Sequence, residues 1–153
     1  MIVQRRTYMN TDTAAFVKEK AEEGNYADVD YSVRLPEAEF DVMQAVWNGT
    51  APMTTNYLMK AIGNARGWKA PTLISFLVRL EKRGFIVSSK KGKERFYTPV
   101  ANREAYLSQV TEHFIARYHE GSFVNLLDTL YREKDFSTEE VDALLEWLKK
   151  KYH

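Results

Sequence analysis

The feature that most constrains this chain is a change of hydrophobic period at Gly84. Before that glycine, apolar residues recur at helical spacing in three segments. In the first, Pro36 suits a first helical position and Glu37, Glu39 and Asp41 favour the positive end of a helix dipole. Phe40, Met43, Val46 and Trp47 form its apolar stripe, and Asn48-Gly49 stops it. The second starts at a Thr54 cap, carries Leu58, Met59 and Ile62, and ends at Gly63-Asn64. After an Arg66-Gly67-Trp68 loop, the third opens with Pro71 and runs to Gly84, with Leu73, Phe76, Leu77 and Leu80 facing inward. Past Gly84 the pattern shortens. Phe85–Ser89 and Arg95–Thr98 are β-prone and flank the polar link Lys90-Lys91-Gly92-Lys93-Glu94, which predicts a β-hairpin. Three helices and a two-stranded hairpin within about 65 residues is the layout of a winged helix-turn-helix.

Beyond Pro99 the chain is helical again. A helix over 103–119 places Tyr106, Val110, Phe114 and Tyr118 four apart, and Gly121 breaks it. A second covers 123–134, with Leu126, Leu127, Leu130 and Tyr131. A third follows the Ser137-Thr138-Glu139-Glu140 capping box and carries Val141, Leu144, Leu145 and Leu148. Such narrow stripes need the head or a second copy to cover them, which favours a homodimer. The candidate dimer residues are Tyr106, Val110, Phe114, Tyr118, Phe123, Leu127, Leu130, Leu144, Trp147 and Leu148. The expected fold is mainly α with a small β-hairpin. A winged head spans 34–100, a helical dimerisation domain spans 101–153, and residues 1–33 form an extension of unknown role with helix-like composition at Thr11–Glu23.

The chain has no cysteine, which removes disulfides, thiolate metal sites and cysteine nucleophiles together. No apolar run approaches the roughly 18 residues that cross a bilayer, and no hydrophobic leader follows Met1. These features predict a cytoplasmic protein without membrane insertion. His113, His119 and His153 lack the spacing of a helical zinc site, and no phosphate loop or nucleophile elbow is present. No metal, no cofactor and no enzymatic activity are therefore expected.

Formal net charge is +1, but it is segregated: −1 over residues 1–35, +5 over 36–100 and −3 over 101–153. A charge run alone reads as a solvated face, so position decides. Thr72, Ser75 and Arg79 lie at i, i+3 and i+7 on the third helix, opposite its apolar face, where small hydroxyls and an arginine can meet base edges. Lys69 precedes that helix, and Lys90, Lys91, Lys93 and Arg95 surround the hairpin tip, all suited to phosphates. Together they predict a double-stranded DNA operator as partner. Ile74 and Val78, one turn apart, fit either thymine methyls or packing against the extension, with packing preferred. The competing reading is a winged-helix protein-interaction module in which that apolar pair docks a partner and the basic wing is incidental.

Several stretches resemble the penicillinase-repressor (BlaI/MecI/CopY) family. They are Leu35 through Trp47, Gly67-Trp68, Thr72-Leu73, Leu77 through Ile86, Arg95-Phe96-Tyr97 and Gly121-Ser122-Phe123. The resemblance runs in order from about Arg34 to Lys150. It implies a homodimeric winged-helix repressor that sits on a dyad-symmetric operator and blocks transcription. It also implies release through clipping by a membrane sensor protease, or through metal binding in a copper-responsive branch whose cysteine cluster is absent here. Two departures stand out. The family commonly presents lysine where this chain has Pro71 and Ile74, and a polar residue at Val78. The family's clipped bond is Asn–Phe and the matching candidate cleavage pair is His113-Phe114, which leaves inducible cleavage open.

Overall fold

The computed structural model describes residues 29–133 and 135–152; the helix expected over 11–23 and His153 lie outside them. The order of elements is α1 (Glu37–Asn48), β1 (Met53–Thr54), α2 (Thr55–Leu58, continuing as a π-helical stretch over Met59–Gly63) and α3 (Ala70–Lys82). There follow β2 (Ile86–Lys91), β3 (Glu94–Pro99), α4 (Arg103–Tyr118), α5 (Phe123–Glu133) and α6 (Thr138–Lys151).

Local chemistry sets several of these boundaries. Glu37 and Glu39 occupy the acidic first turn of α1. The Thr54 hydroxyl accepts from the Tyr57 N–H at 3.1 Å and caps α2. Gly84, at φ +78°, closes α3: Phe85 N–H donates to the Leu80 carbonyl at 3.0 Å and Gly84 N–H to that of Glu81 at 3.0 Å. This is the Schellman arrangement, and its left-handed residue is the reason a glycine marks the change of period.

The sheet is antiparallel with strand order β1-β3-β2. Lys91 pairs with Glu94, leaving Gly92 (φ +65°) and Lys93 as a two-residue turn. Positive φ at the first turn residue alone is the II′ pattern, which suits the strand twist. The sheet has one strand more than the expected hairpin. Met53–Thr54 is too short to show a period and is a strand because it pairs with Phe96 and Tyr97. The first part of the chain thus forms a winged helix-turn-helix.

Its core gathers Val42, Met43, Val46 and Trp47 from α1 with Leu58, Leu73, Leu77, Leu80, Phe85, Ile86 and Tyr97, all buried. At the expected 25 cal/mol per Å² or so, such burial is the main stabilising term. Glu39 is buried in α1, and Arg83 Nη2 lies 3.7 Å from its Oε2, joining α1 to the end of α3. Trp47 Nε1 donates to the Ala101 carbonyl at 2.9 Å.

One dimer assignment is corrected here. Tyr106 is only 2% exposed, and its hydroxyl accepts from the Leu35 N–H at 2.8 Å. Its ring lies 5.9 Å from Phe40, 5.9 Å from Trp47 and 5.7 Å from Phe85. A side chain so enclosed by its own head cannot reach a second molecule. Val110, one turn further along α4, also packs against this core. Tyr31, expected in the extension, packs on the head too: its hydroxyl accepts from the Asn102 N–H at 3.0 Å and its ring meets Phe85 at 6.2 Å.

The chain divides into two compact units, the first ending at Val110 and the second beginning at Thr111. In the second, His119 is buried, with Nδ1 3.0 Å from Asn125 Oδ1 and its ring 5.3 Å from Phe114. Glu120 and Gly121 turn the chain at positive φ, and the Ser122 hydroxyl accepts from the Asn125 N–H. The capping box at Ser137 is formed as the sequence predicts. None of the α6 side chains is buried. Among the described residues no helix is long and apolar enough to cross a membrane.

Candidate nucleic-acid interface

Three buried leucines, Leu73, Leu77 and Leu80, fix the rotation of α3 and hence what it offers to solvent. Thr72, Ser75 and Arg79 are all exposed, as the i, i+3, i+7 spacing predicts. Lys69 occupies the N-cap position with extended backbone and an exposed side chain. Phe76 is half-buried and packs against Trp68 with ring centroids 4.9 Å apart. The Arg79 guanidinium lies 5.8 Å from the Phe76 ring, and that of Arg66 lies 6.0 Å from Trp68. Arg66 is in turn paired with Asp41 on α1. The result is a ladder of guanidinium, indole, phenyl and guanidinium that restricts Arg79 before any ligand arrives. Ordering a long side chain in advance lowers the entropy lost on binding.

Lys90, Lys91, Lys93 and Arg95 are all exposed around Gly92. Strand alternation puts Lys90 and Arg95 on the sheet face shared with Ile86, Ser88 and Tyr97, and Lys91 on the other. Arg95 is more than a cation at the tip. Its Nη1 donates to Ser88 Oγ at 2.9 Å. The Ser88 hydroxyl donates to the Glu81 carboxylate at 2.8–2.9 Å, and Ser88 N–H donates to Glu81 Oε1 at 3.0 Å. This Glu81–Ser88–Arg95 relay ties the end of α3 to the wing, so helix and hairpin belong to one rigid surface. Sequence reasoning missed Glu81 and Ser88. The available signal was that Glu81 stands among basic residues from Arg66 to Lys93.

Ile74 and Val78 are expected to pack against the extension, whose residues 1–28 lie outside the described ones. They are 41% and 46% exposed on α3. Of the other site residues, His113 and Phe114 are exposed but lie inside the helical turns of α4. Phe114, Tyr118, Phe123, Leu130, Trp147 and Leu148 are exposed, while Leu127 and Leu144 are half-buried. Val124, Tyr131, Val141 and Leu145 extend this apolar surface and were not among the expected contacts. Among the described residues, no group of three or more His, Asp or Glu side chains could hold a metal ion.

The family model of the penicillinase repressor matches residues 35–150. The chain belongs to that family. The penicillinase repressor of Bacillus licheniformis is 25% identical over 115 residues, covering 75% of this chain and 89% of that one. The methicillin resistance regulatory protein MecI of Staphylococcus aureus (strain N315) is 26% identical over 117 residues, 76% of this chain and 94% of that one. The solution structure of the DNA binding domain of the repressor BlaI shares 29% identity and covers 48% of this chain and 88% of its own, with a TM-score of 0.43. The penicillinase-repressor match begins at Leu35, so Tyr31 lies outside it although it packs on the head.

Proposed function

We propose that this protein is a homodimeric transcriptional repressor that grips a dyad-symmetric operator with α3 and the wing of each subunit. The observation that carries the reading is the Glu81–Ser88–Arg95 relay, which joins the exposed Thr72/Ser75/Arg79 face to a tip bearing Lys90, Lys91 and Lys93. In this reading no covalent chemistry is needed. Lysines at the tip and Lys69 neutralise phosphates, and release of counterions drives association. Arg79 supplies a bidentate donor pair to guanine, with Thr72 and Ser75 close to neighbouring bases or phosphates. A two-fold dimer presents the two helices to half-sites about one DNA turn apart, or a multiple of it.

Dimerisation is supported by the exposed apolar surface of α5 and α6, to which Phe123, Leu130, Leu145 and Leu148 contribute. For release, the His113–Phe114 bond is our candidate for clipping by a protease partner. It lies just past the division at Val110/Thr111, so cutting there separates the basic head from the apolar helices. Both residues are exposed, and the local helix must unwind before a protease can accept the strand.

The test is a gel-shift titration of salt on duplex DNA from the gene's own upstream region, against random duplex. Affinity should fall steeply with salt, each neutralised phosphate contributing about −0.9 to the log–log slope. A flat salt response with no preference over random DNA sinks the proposal. Because Ile74 and Val78 are exposed, a protein-docking head is the rival reading; a stoichiometric protein partner with no retention on DNA favours it.

A further inference from the structure

Ile74 and Val78 sit in an unusual place for exposed aliphatic side chains. At about 100° per residue, Ser75 points almost directly away from the buried Leu73, Leu77 and Leu80, and Val78 lies about 60° round the helix from it. Ile74 flanks Val78 on one side, and Arg79 with Thr72 flanks Ser75 on the other. The apolar surface therefore borders the centre of the strip that a groove would meet. Neither side chain can donate or accept a hydrogen bond, so neither can serve a phosphate. Only one major-groove feature matches an aliphatic group: the C5-methyl of thymine. A cytosine in its place would lose that methyl and point its N4 amino donor at a surface with no acceptor, a costly mismatch once water is excluded.

We propose that Ile74 and Val78 are specificity-determining residues that read thymine methyl groups, while Arg79, restricted by Phe76, takes the guanine edge. The inference rests on the reading of α3 as the groove element. Four residues of helix rise roughly 6 Å, against about 3.4 Å per base pair, so the two thymines should lie one or two steps apart within each half-site. Around the helix Ser75 lies between Val78 and Arg79, which places the guanine contact to one side of the apolar pair and on a different base pair.

The experiment uses the full-length protein. Duplexes are selected from a random pool, and each thymine of the enriched site is replaced by deoxyuridine, which pairs identically and lacks only the methyl. We expect one or two positions per half-site at which this replacement weakens binding roughly fourfold, the loss of one buried methyl. In Ile74→Ser and Val78→Ser the corresponding penalty should vanish while the salt slope stays unchanged. Both positions are exposed, so folding should survive, and the deoxyuridine series on the unaltered protein stands without the variants. If sites are enriched but every deoxyuridine is neutral, or the variants keep the penalty, this inference falls and the DNA-binding reading remains. If no duplex is enriched, both fall.

Discussion

Helices α1 and α6 have similar lengths, 12 and 14 residues, and both carry an apolar stripe. Their fates differ. α1 buries Glu39, Val42, Met43, Val46 and Trp47, whereas α6 buries none of its side chains and leaves Val141, Leu145, Trp147 and Leu148 in solvent. An amphipathic pattern states that a helix needs cover; it does not state where the cover comes from. For α1 the same chain supplies it, through α3 and the base of the sheet. In the proposed dimer a second molecule supplies it for α6, which would make the stability of that helix a matter of concentration.

This contrast can be broken by substitution. The largest effect is expected from Leu77→Ala in the head, which should lower unfolding free energy by about 2–5 kcal/mol whatever the protein concentration. Denaturant titration at two concentrations measures it; a concentration-dependent loss would mean that the head core is shared between molecules. Next, Leu145→Asp on α6 should weaken self-association by about 2 kcal/mol, some thirtyfold, by placing a charge in an apolar contact. Sedimentation equilibrium reads this, and an unchanged association constant would remove α6 from the interface. Tyr106→Phe probes the join. It should lower head stability by about 1 kcal/mol, because the buried Leu35 N–H loses its acceptor, and leave association untouched. The opposite pattern would restore Tyr106 to the dimer contact. The smallest effect belongs to Lys91→Ala at the wing, which should weaken all duplexes alike by less than about 1 kcal/mol and flatten the salt slope by about 0.9 per subunit. A change of base preference there would place the wing in direct readout.

The four-apart series Tyr106, Val110, Phe114 and Tyr118 shows how far pattern reaches. The sequence predicts a helix and an apolar seam, and α4 is that helix. The seam is divided: Tyr106 and Val110 pack into the head, and Phe114 and Tyr118 stay exposed. Spacing along one helix cannot distinguish these outcomes, because the surfaces that meet Tyr106 come from Phe40, Trp47 and Phe85, far away in the chain. The exposed face of α3 was legible for the opposite reason. Leu73, Leu77 and Leu80 set the rotation of α3, and Thr72, Ser75 and Arg79 follow from it by geometry alone. What holds Arg79 and the wing in place was not legible, since Trp68, Phe76, Glu81 and Ser88 act through contacts across elements.

By itself the amino-acid order determined whatever depends on neighbours within a turn or two: the helical stripes, the Thr54 and Ser137 caps, the glycine stop at position 84 and the hairpin turn at position 92. Only the tertiary structure decided that Met53–Thr54 becomes a strand, that Tyr106 belongs to the head, and that Arg95 is bound back to α3 through Ser88. The physical reason is range. Caps, turns and periodicity are energies between residues close in sequence, whereas burial and relay hydrogen bonds arise between segments whose proximity exists only after the chain has closed on itself.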